Sequence, residues 1–141
     1  MIITAGIYKG RKILTPDENI TRPTLSKVRM GVFNSLYSMI GEFEGKSFLD
    51  VFGGSGVMGL EAYSRGFSDV KVFEKNPKAA EIIKKNYKTL GLKPDLQIGD
   101  SEKLIQKLDK FYDVFYIYQP YMRDLYERIL SKIQGEIIVV E

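Results

Sequence analysis

Phe48-Leu-Asp-Val-Phe-Gly-Gly-Ser-Gly-Val-Met-Gly-Leu-Glu-Ala62 is the stretch on which the reading of this chain turns. A short apolar run ends at Asp50, a glycine-rich turn follows, and apolar residues then recur at helical spacing. Gly54-x-Gly56-x-x-Gly59 has the glycine spacing of a nucleotide-binding strand–turn–helix. Gly54 permits the tight turn, Gly56 lets a ligand approach the backbone, and Gly59 lets the helix pack close to the strand. The helix then begins with unpaired N–H groups facing the ligand.

Asp50 bears on which ligand. A carboxylate at that strand end repels a pyrophosphate by roughly 1–4 kcal/mol per charge pair at contact distance. It attracts an ammonium or a sulfonium. S-adenosylmethionine carries both and has no phosphate, so it fits the charge better than NAD does. Two other readings stand beside it: a strand–helix turn that binds nothing, and a phosphate-bearing cofactor.

The 141 residues suffice for one domain with a real core, and 44% hydrophobic with 28% charged residues is ordinary for a globular chain. With no cysteine, disulfides, thiolate metal sites and a cysteine nucleophile are excluded. With no histidine, the usual general base near neutral pH is missing, and no metal is expected. Chemistry must come from carboxylates, tyrosines, backbone carbonyls and positioning. Neither a membrane-length apolar run nor a signal-peptide pattern is present, so a cytoplasmic location is expected. The formal net charge of +3 does not by itself indicate nucleic-acid binding.

Upstream, alternating residues around Lys9-Gly10 predict a β-hairpin over Ile3–Leu14. Asp17–Ile20 reads as a loop. Thr24 is the expected N-cap of a helix whose apolar face is Leu25, Val28, Val32, Leu36 and Met39, with Lys27 and Arg29 on the other face. The helix ends near Gly41. From Lys46 the pattern alternates: strands over 46–51, 69–74, 94–98, 112–117 and 135–140, helices over 57–66, 77–90, 101–109 and 122–133. This predicts an α/β fold with a parallel sheet and helices on both faces, residues 1–45 forming an extension on a core of 46–141.

Ligands of open parallel sheets bind beyond the carboxyl ends of the strands. The first end carries Asp50. The second carries Glu74, placed to accept from ribose hydroxyls, and the third is followed by Asp100, placed to accept from an adenine amine. The fourth runs into Tyr118-Gln119-Pro120-Tyr121. One acid alone reads as a loop residue or helix cap; three at successive strand ends read as a site.

These features together resemble the RsmD family of bacterial small-subunit rRNA guanine-N2 methyltransferases, which are Rossmann-like and use S-adenosylmethionine. The resemblance covers nearly the whole chain. It rests on Gly6-x-x-Lys9-Gly10-Arg11, on Arg22-Pro23-Thr24 with Val28-Arg29 and Phe33-Asn34, and on Asp50-x-Phe52-x-Gly54-Ser55-Gly56-x-x-Gly59-x-Glu61-Ala62. It implies cofactor contacts at Asp50, Phe52, Gly54, Ser55, Gly56, Glu74, Lys75, Asp100 and Ser101. In the family the fourth strand ends in Asp or Asn, Pro, Pro, then Phe or Tyr. The acid or amide and the next backbone carbonyl accept from the base's exocyclic amine, and the aromatic ring stacks on the base. The matching residues are Tyr118, Gln119, Pro120 and Tyr121, so the side-chain acceptor becomes a phenol and the first proline a glutamine. Met30 stands where the family usually has an acid. Family members also continue beyond the fifth strand, whereas this sequence stops at Glu141; either it is a piece of a longer protein or strand five is an exposed edge.

The first 29 residues hold Lys9, Arg11, Lys12, Arg22, Lys27 and Arg29 against Asp17 and Glu18. Lys9, Arg11, Arg22 and Arg29 are expected to contact RNA phosphates beside the pocket, with Tyr8 able to stack on a base; a solvated basic face is the plainer reading. The expected activity is methyl transfer to a guanine amine of small-subunit rRNA. Adenine-N6 methylation and a SAM- and RNA-binding protein without catalysis remain as alternatives.

Overall fold

A computed structural model describes residues 1–16, 25–118, 123–131 and 135–140. The elements in chain order are α1 (Ser26–Ile40), β1 (Ser47–Asp50), α2 (Val57–Ser64), β2 (Asp69–Glu74) and α3 (Pro77–Thr89), then β3 (Asp95–Ile98), α4 (Ser101–Gln106), β4 (Tyr112–Ile117), α5 (Arg123–Leu130) and β5 (Gly135–Val140). The strands lie in the order β3-β2-β1-β4-β5, and every neighbouring pair is parallel. The α/β arrangement expected from the alternation is the one that forms. Chain order reverses direction between β1 and β4, and at such a switch point a crevice opens above the strand ends.

Side-chain alternation divides the core into two layers. Phe48, Val72, Val114 and Tyr116 face one side, where they pack with Val32, Phe33 and Leu36 of α1, Val57, Met58 and Leu60 of α2, and Ile83 and Tyr87 of α3. Leu49, Phe73, Phe115 and Ile117 face the other, under Ile105 of α4 and Ile129 of α5. All four residues of β1 are buried, as a strand covered on both faces must be.

Helix α2 is short and almost wholly buried, because a third layer covers it. The N-terminal segment lies across its outer side, with Ile3 and Ile13 in the core. The expected hairpin is reduced there to one antiparallel bridge, Ile2 to Lys12, with Ile3 N–H bonded to Arg11 O (3.0 Å) and Ile13 N–H to Met1 O (2.9 Å). A longer ladder does not form because the donors go elsewhere: Thr4 N–H to the Glu61 carboxylate, Ile7 N–H to Ser64 O, and Tyr8 N–H to Ser64 Oγ.

The face of α1 also differs from expectation. Arg29, Val32, Phe33 and Leu36 are buried, whereas Leu25 and Met39 are 69% and 65% exposed. The packing partner that shifts the stripe is an aromatic group: Phe33 stacks on Phe48 at 5.7 Å and meets Phe43 and Phe67 edge-on. Leu25 takes the N-cap position without a side-chain cap; Thr24 lies outside the described residues.

Candidate functional site

The tips of β1, β2 and β3 are laced together by hydrogen bonds. After β1 the backbone turns through Gly54 and Gly56, both at positive φ (60° and 81°), which a side chain would resist. Gly53 N–H donates to Phe73 O (2.7 Å), Gly56 N–H to Gly53 O (2.9 Å), and Val51 N–H to Tyr116 O (3.0 Å). A Cβ at Gly56 would press on Ile83 at 3.2 Å, so the close approach there is to α3 as well as toward any ligand. A Cβ at Gly59 would sit 2.6 Å from the Tyr87 hydroxyl of α3 and 3.1 and 3.2 Å from Val72 and Val70 of β2, so the helix packs tightly on the strand, as expected, and on α3 as well.

Glu74 closes this turn. One carboxylate oxygen accepts from Gly54 N–H and the other from Asn76 N–H, each at 2.7 Å, while its carbonyl accepts from Gly99 N–H (2.9 Å). Each carboxylate oxygen keeps a further lone pair. Asp100 is half-buried and caps α4 through Lys103 N–H (3.2 Å). The Ser101 hydroxyl donates to Val51 O (2.6 Å), tying α4 to the turn. Ser55 Oγ accepts from Val57 N–H (3.2 Å) at the start of α2. Phe52 is half-buried and packs on the α4–α5 side; Lys75 is exposed.

Asp50 is different. Its side chain is 1% exposed. One oxygen accepts from Phe52 N–H at 3.2 Å, and the other is buried with no hydrogen-bond partner among the described residues. Burial pushes the carboxyl well above the usual aspartate range, the Glu74 charge adds to the rise, and the Phe52 N–H opposes it. One oxygen of Asp50 thus lacks a donor or a cation among the described residues, at the point where the strand order reverses.

Tyr118 follows β4 directly, half-buried, on the strand paired with β1. Gln119, Pro120, Tyr121 and Arg22 lie outside the described residues.

Among the described residues, Lys9, Arg11 and Arg29 do not gather beside this crevice. Arg11 donates to Thr89 O (3.1 Å) at the far end of α3, a helix of 13 residues that begins at the crevice. At about 1.5 Å per residue, that is roughly 20 Å away. Lys9 shares its exposed loop, which docks on the end of α2 at Ser64. Arg29, expected on the solvated face, is instead 3% exposed. Its guanidinium pairs with Glu61 at 3.1 Å and donates to Ile2 O at 2.8 Å. Burial lowers its pKa and the Glu61 charge opposes the drop. In this position it ties α1 to α2 and to the N-terminal segment, with its guanidinium withdrawn from solvent.

Three residues organise the N-terminal segment without having been singled out for it. Glu61 accepts from Thr4 N–H and Oγ–H, Ser64 bonds Ala5 O and Tyr8 N–H, and Asn86 bonds Leu14 on both sides of its peptide. Glu61 sat inside the quoted glycine stretch. Asn86 gave only one local cue, a polar residue on the apolar face of a helix.

A family model described as "Conserved hypothetical protein 95" matches residues 1–141. The chain is 38% identical over 113 residues to YlbH of Bacillus subtilis, covering 78% of this chain and 59% of that protein. It is 30% identical over 136 residues to ribosomal RNA small subunit methyltransferase D of Buchnera aphidicola, covering 95% of this chain and 70% of that one. A hypothetical protein of known structure from a Thermus species superimposes with a TM-score of 0.86 at 24% identity, covering 99% of this chain and 84% of the other, which speaks for the fold alone.

Proposed function

The chain belongs to the RsmD family of ribosomal RNA methyltransferases, and from that footing we propose that it methylates the N2 amine of a guanine in small-subunit rRNA, with S-adenosylmethionine as donor. The observation that carries the cofactor is the buried oxygen of Asp50 at the switch point, which has no partner among the described residues. An ammonium supplied to it, directly or through a water, gives it the donor it lacks and holds it ionised. A pyrophosphate would set its charge against both Asp50 and Glu74.

The residues divide the work as follows. The turn through Gly54 and Gly56 seats the methionine end, with Phe52 and Ser55 shaping its walls. Glu74 offers its remaining lone pairs to ribose hydroxyls, and Asp100 its outer oxygen to the adenine amine, flanked by Lys75 and Ser101. When bound, the cofactor would supply an electrophilic methyl group on sulfonium; its uptake by the amine nitrogen would leave the C–S electron pair on sulfur and release one amine proton to water. The Tyr118 hydroxyl and the Gln119 carbonyl accept from the amine, freeing that lone pair from conjugation, and Tyr121 stacks on a base that has left its helix. Lys9, Arg11 and Arg22 hold backbone phosphates away from the reacting base. A protein that works on ribosomal RNA belongs in the cytoplasm.

The phenol at Tyr118 favours one second reading, a protein that binds cofactor and RNA without transferring methyl. Radiolabelled S-adenosylmethionine with small-subunit rRNA separates the two. The enzyme reading expects label in RNA at the guanine N2, and about tenfold faster labelling by Tyr118→Asp, a modest share of what positioned polar groups contribute. Cofactor binding with no label transferred by either protein would leave only the second reading.

A further inference from the structure

Asn86 stands in the last turn of α3 and is 1% exposed. Its carbonyl oxygen accepts from Leu14 N–H at 2.7 Å. Its amide nitrogen donates to Leu14 O at 2.9 Å and to Ser55 O at 3.0 Å. Both N–H bonds and the acceptor are therefore in use, and one rigid planar group spans two regions. Ser55 is the residue between the two positive-φ glycines of the turn. Leu14 belongs to the N-terminal segment, three residues after Arg11 and next to the stretch that carries Arg22. Leu14 is 50% exposed, so its backbone is held here by the Asn86 amide and not by its own burial.

We propose that Asn86 is a positioning residue that couples cofactor binding at the glycine turn to RNA binding by the N-terminal segment; this rests on the function proposed above. A cofactor seated on the turn fixes the Ser55 carbonyl. That carbonyl fixes the Asn86 amide plane, and the amide in turn pins Leu14. With Leu14 pinned, the loop bearing Lys9 and Arg11 has less freedom left to lose when phosphates bind. Linkage then requires RNA to tighten cofactor binding by the same factor.

The test compares affinity for S-adenosylhomocysteine, which cannot react, with and without a small-subunit rRNA transcript. Wild type, Asn86→Asp and Ser64→Ala are measured. Asn86→Asp keeps size and acceptor but loses both donors to Leu14 O and Ser55 O. Ser64→Ala removes a different anchor of the same segment without touching the turn. Wild type and Ser64→Ala are expected to bind about tenfold more tightly with RNA present, and Asn86→Asp equally with and without it. A residue that merely stabilised the segment would weaken RNA binding in both variants and leave the coupling intact. Wild-type coupling in Asn86→Asp, or none in wild type, overturns the proposal. Should Asn86→Asp fail to fold, hydrogen exchange at the Leu14 amide of the wild type decides. It is expected to slow about tenfold when S-adenosylhomocysteine binds, and an unchanged rate overturns the coupling. A wild type that binds no S-adenosylhomocysteine would sink the functional reading itself, a result distinct from binding without coupling.

Discussion

Glu61 and Asp50 are carboxylates buried to the same depth, at 0% and 1% exposure, and their surroundings are opposite. Glu61 collects the Thr4 N–H and hydroxyl, an ion pair with Arg29 at 3.1 Å and a looser one with Arg65 at 3.7 Å. Asp50 has one backbone N–H at 3.2 Å, a second carboxylate nearby, and an oxygen with no partner among the described residues. Burying a charge is costly unless donors or counter-charges replace the water. Glu61 has them from its own chain and is architecture. Asp50 does not, and the group it wants is the one a cationic ligand brings. Equal burial of the same functional group thus separates a structural acid from a binding acid by its donors.

The largest effect should come from breaking the satisfied partner. Glu61→Ala strands the buried Arg29 guanidinium and the Thr4 N–H, and is expected to cost about 3–5 kcal/mol in denaturant unfolding. A loss below about 1 kcal/mol, the range of an exposed pair, would erase the contrast.

The opposite sign is expected at Asp50. Asp50→Asn should weaken S-adenosylmethionine binding by about 10- to 100-fold, from the roughly 1.5–3 kcal/mol of a charge-assisted hydrogen bond. It should not destabilise the fold at neutral pH. The sign follows from linkage. The folded-state pKa of Asp50 is raised, so the native state binds more protons than the unfolded chain. Its contribution to stability is therefore fully present below the unfolded aspartate pKa of about 3.9 and is lost as pH rises through the raised value. Wild type should fall behind Asp50→Asn across that window in melting temperature, while its affinity for cofactor climbs.

Gly59 lies on α2, the helix that carries Glu61 and follows the turn after Asp50. Gly59→Ala drives a methyl toward the Tyr87 hydroxyl and Val72, and about 1–3 kcal/mol of overpacking is expected. Displacing α2 should loosen the cofactor turn and the N-terminal segment together. Smallest of all is Arg11→Ala, far from both acids. It should leave cofactor binding unchanged and reduce the salt dependence of RNA binding by about one ion.

What was legible in advance follows from how local the cause is. The strand expectations at 69–74 and 112–117 coincide with β2 and β4, because short runs rich in β-branched and aromatic residues carry their own strand signal. The glycine turn and the acids at the strand tips were readable as equally local patterns. Arg29 was not, since a charged residue reads as solvated unless its partner is known, and Glu61 lies 32 residues away. The hairpin failed likewise: the donors that would have extended it are taken by Glu61 and Ser64, on a helix 57 and 56 residues later. The last turn expected for α4, over 107–109, does not form: the helix ends at Gln106 and Lys107 takes the C-cap position. Asn86 needed both of its partners in view, one before the first helix and one in the glycine turn.

The account stands most directly on a calorimetric titration of S-adenosylmethionine into wild type and Asp50→Asn at neutral pH, with melting temperatures recorded for both. It predicts that the wild type binds, that the variant loses most of that affinity, and that the variant melts no lower. Equal affinity in the two proteins, or a variant that fails to bind only because it has unfolded, would contradict the claim that the unpartnered Asp50 oxygen is where the cofactor's positive charge is met.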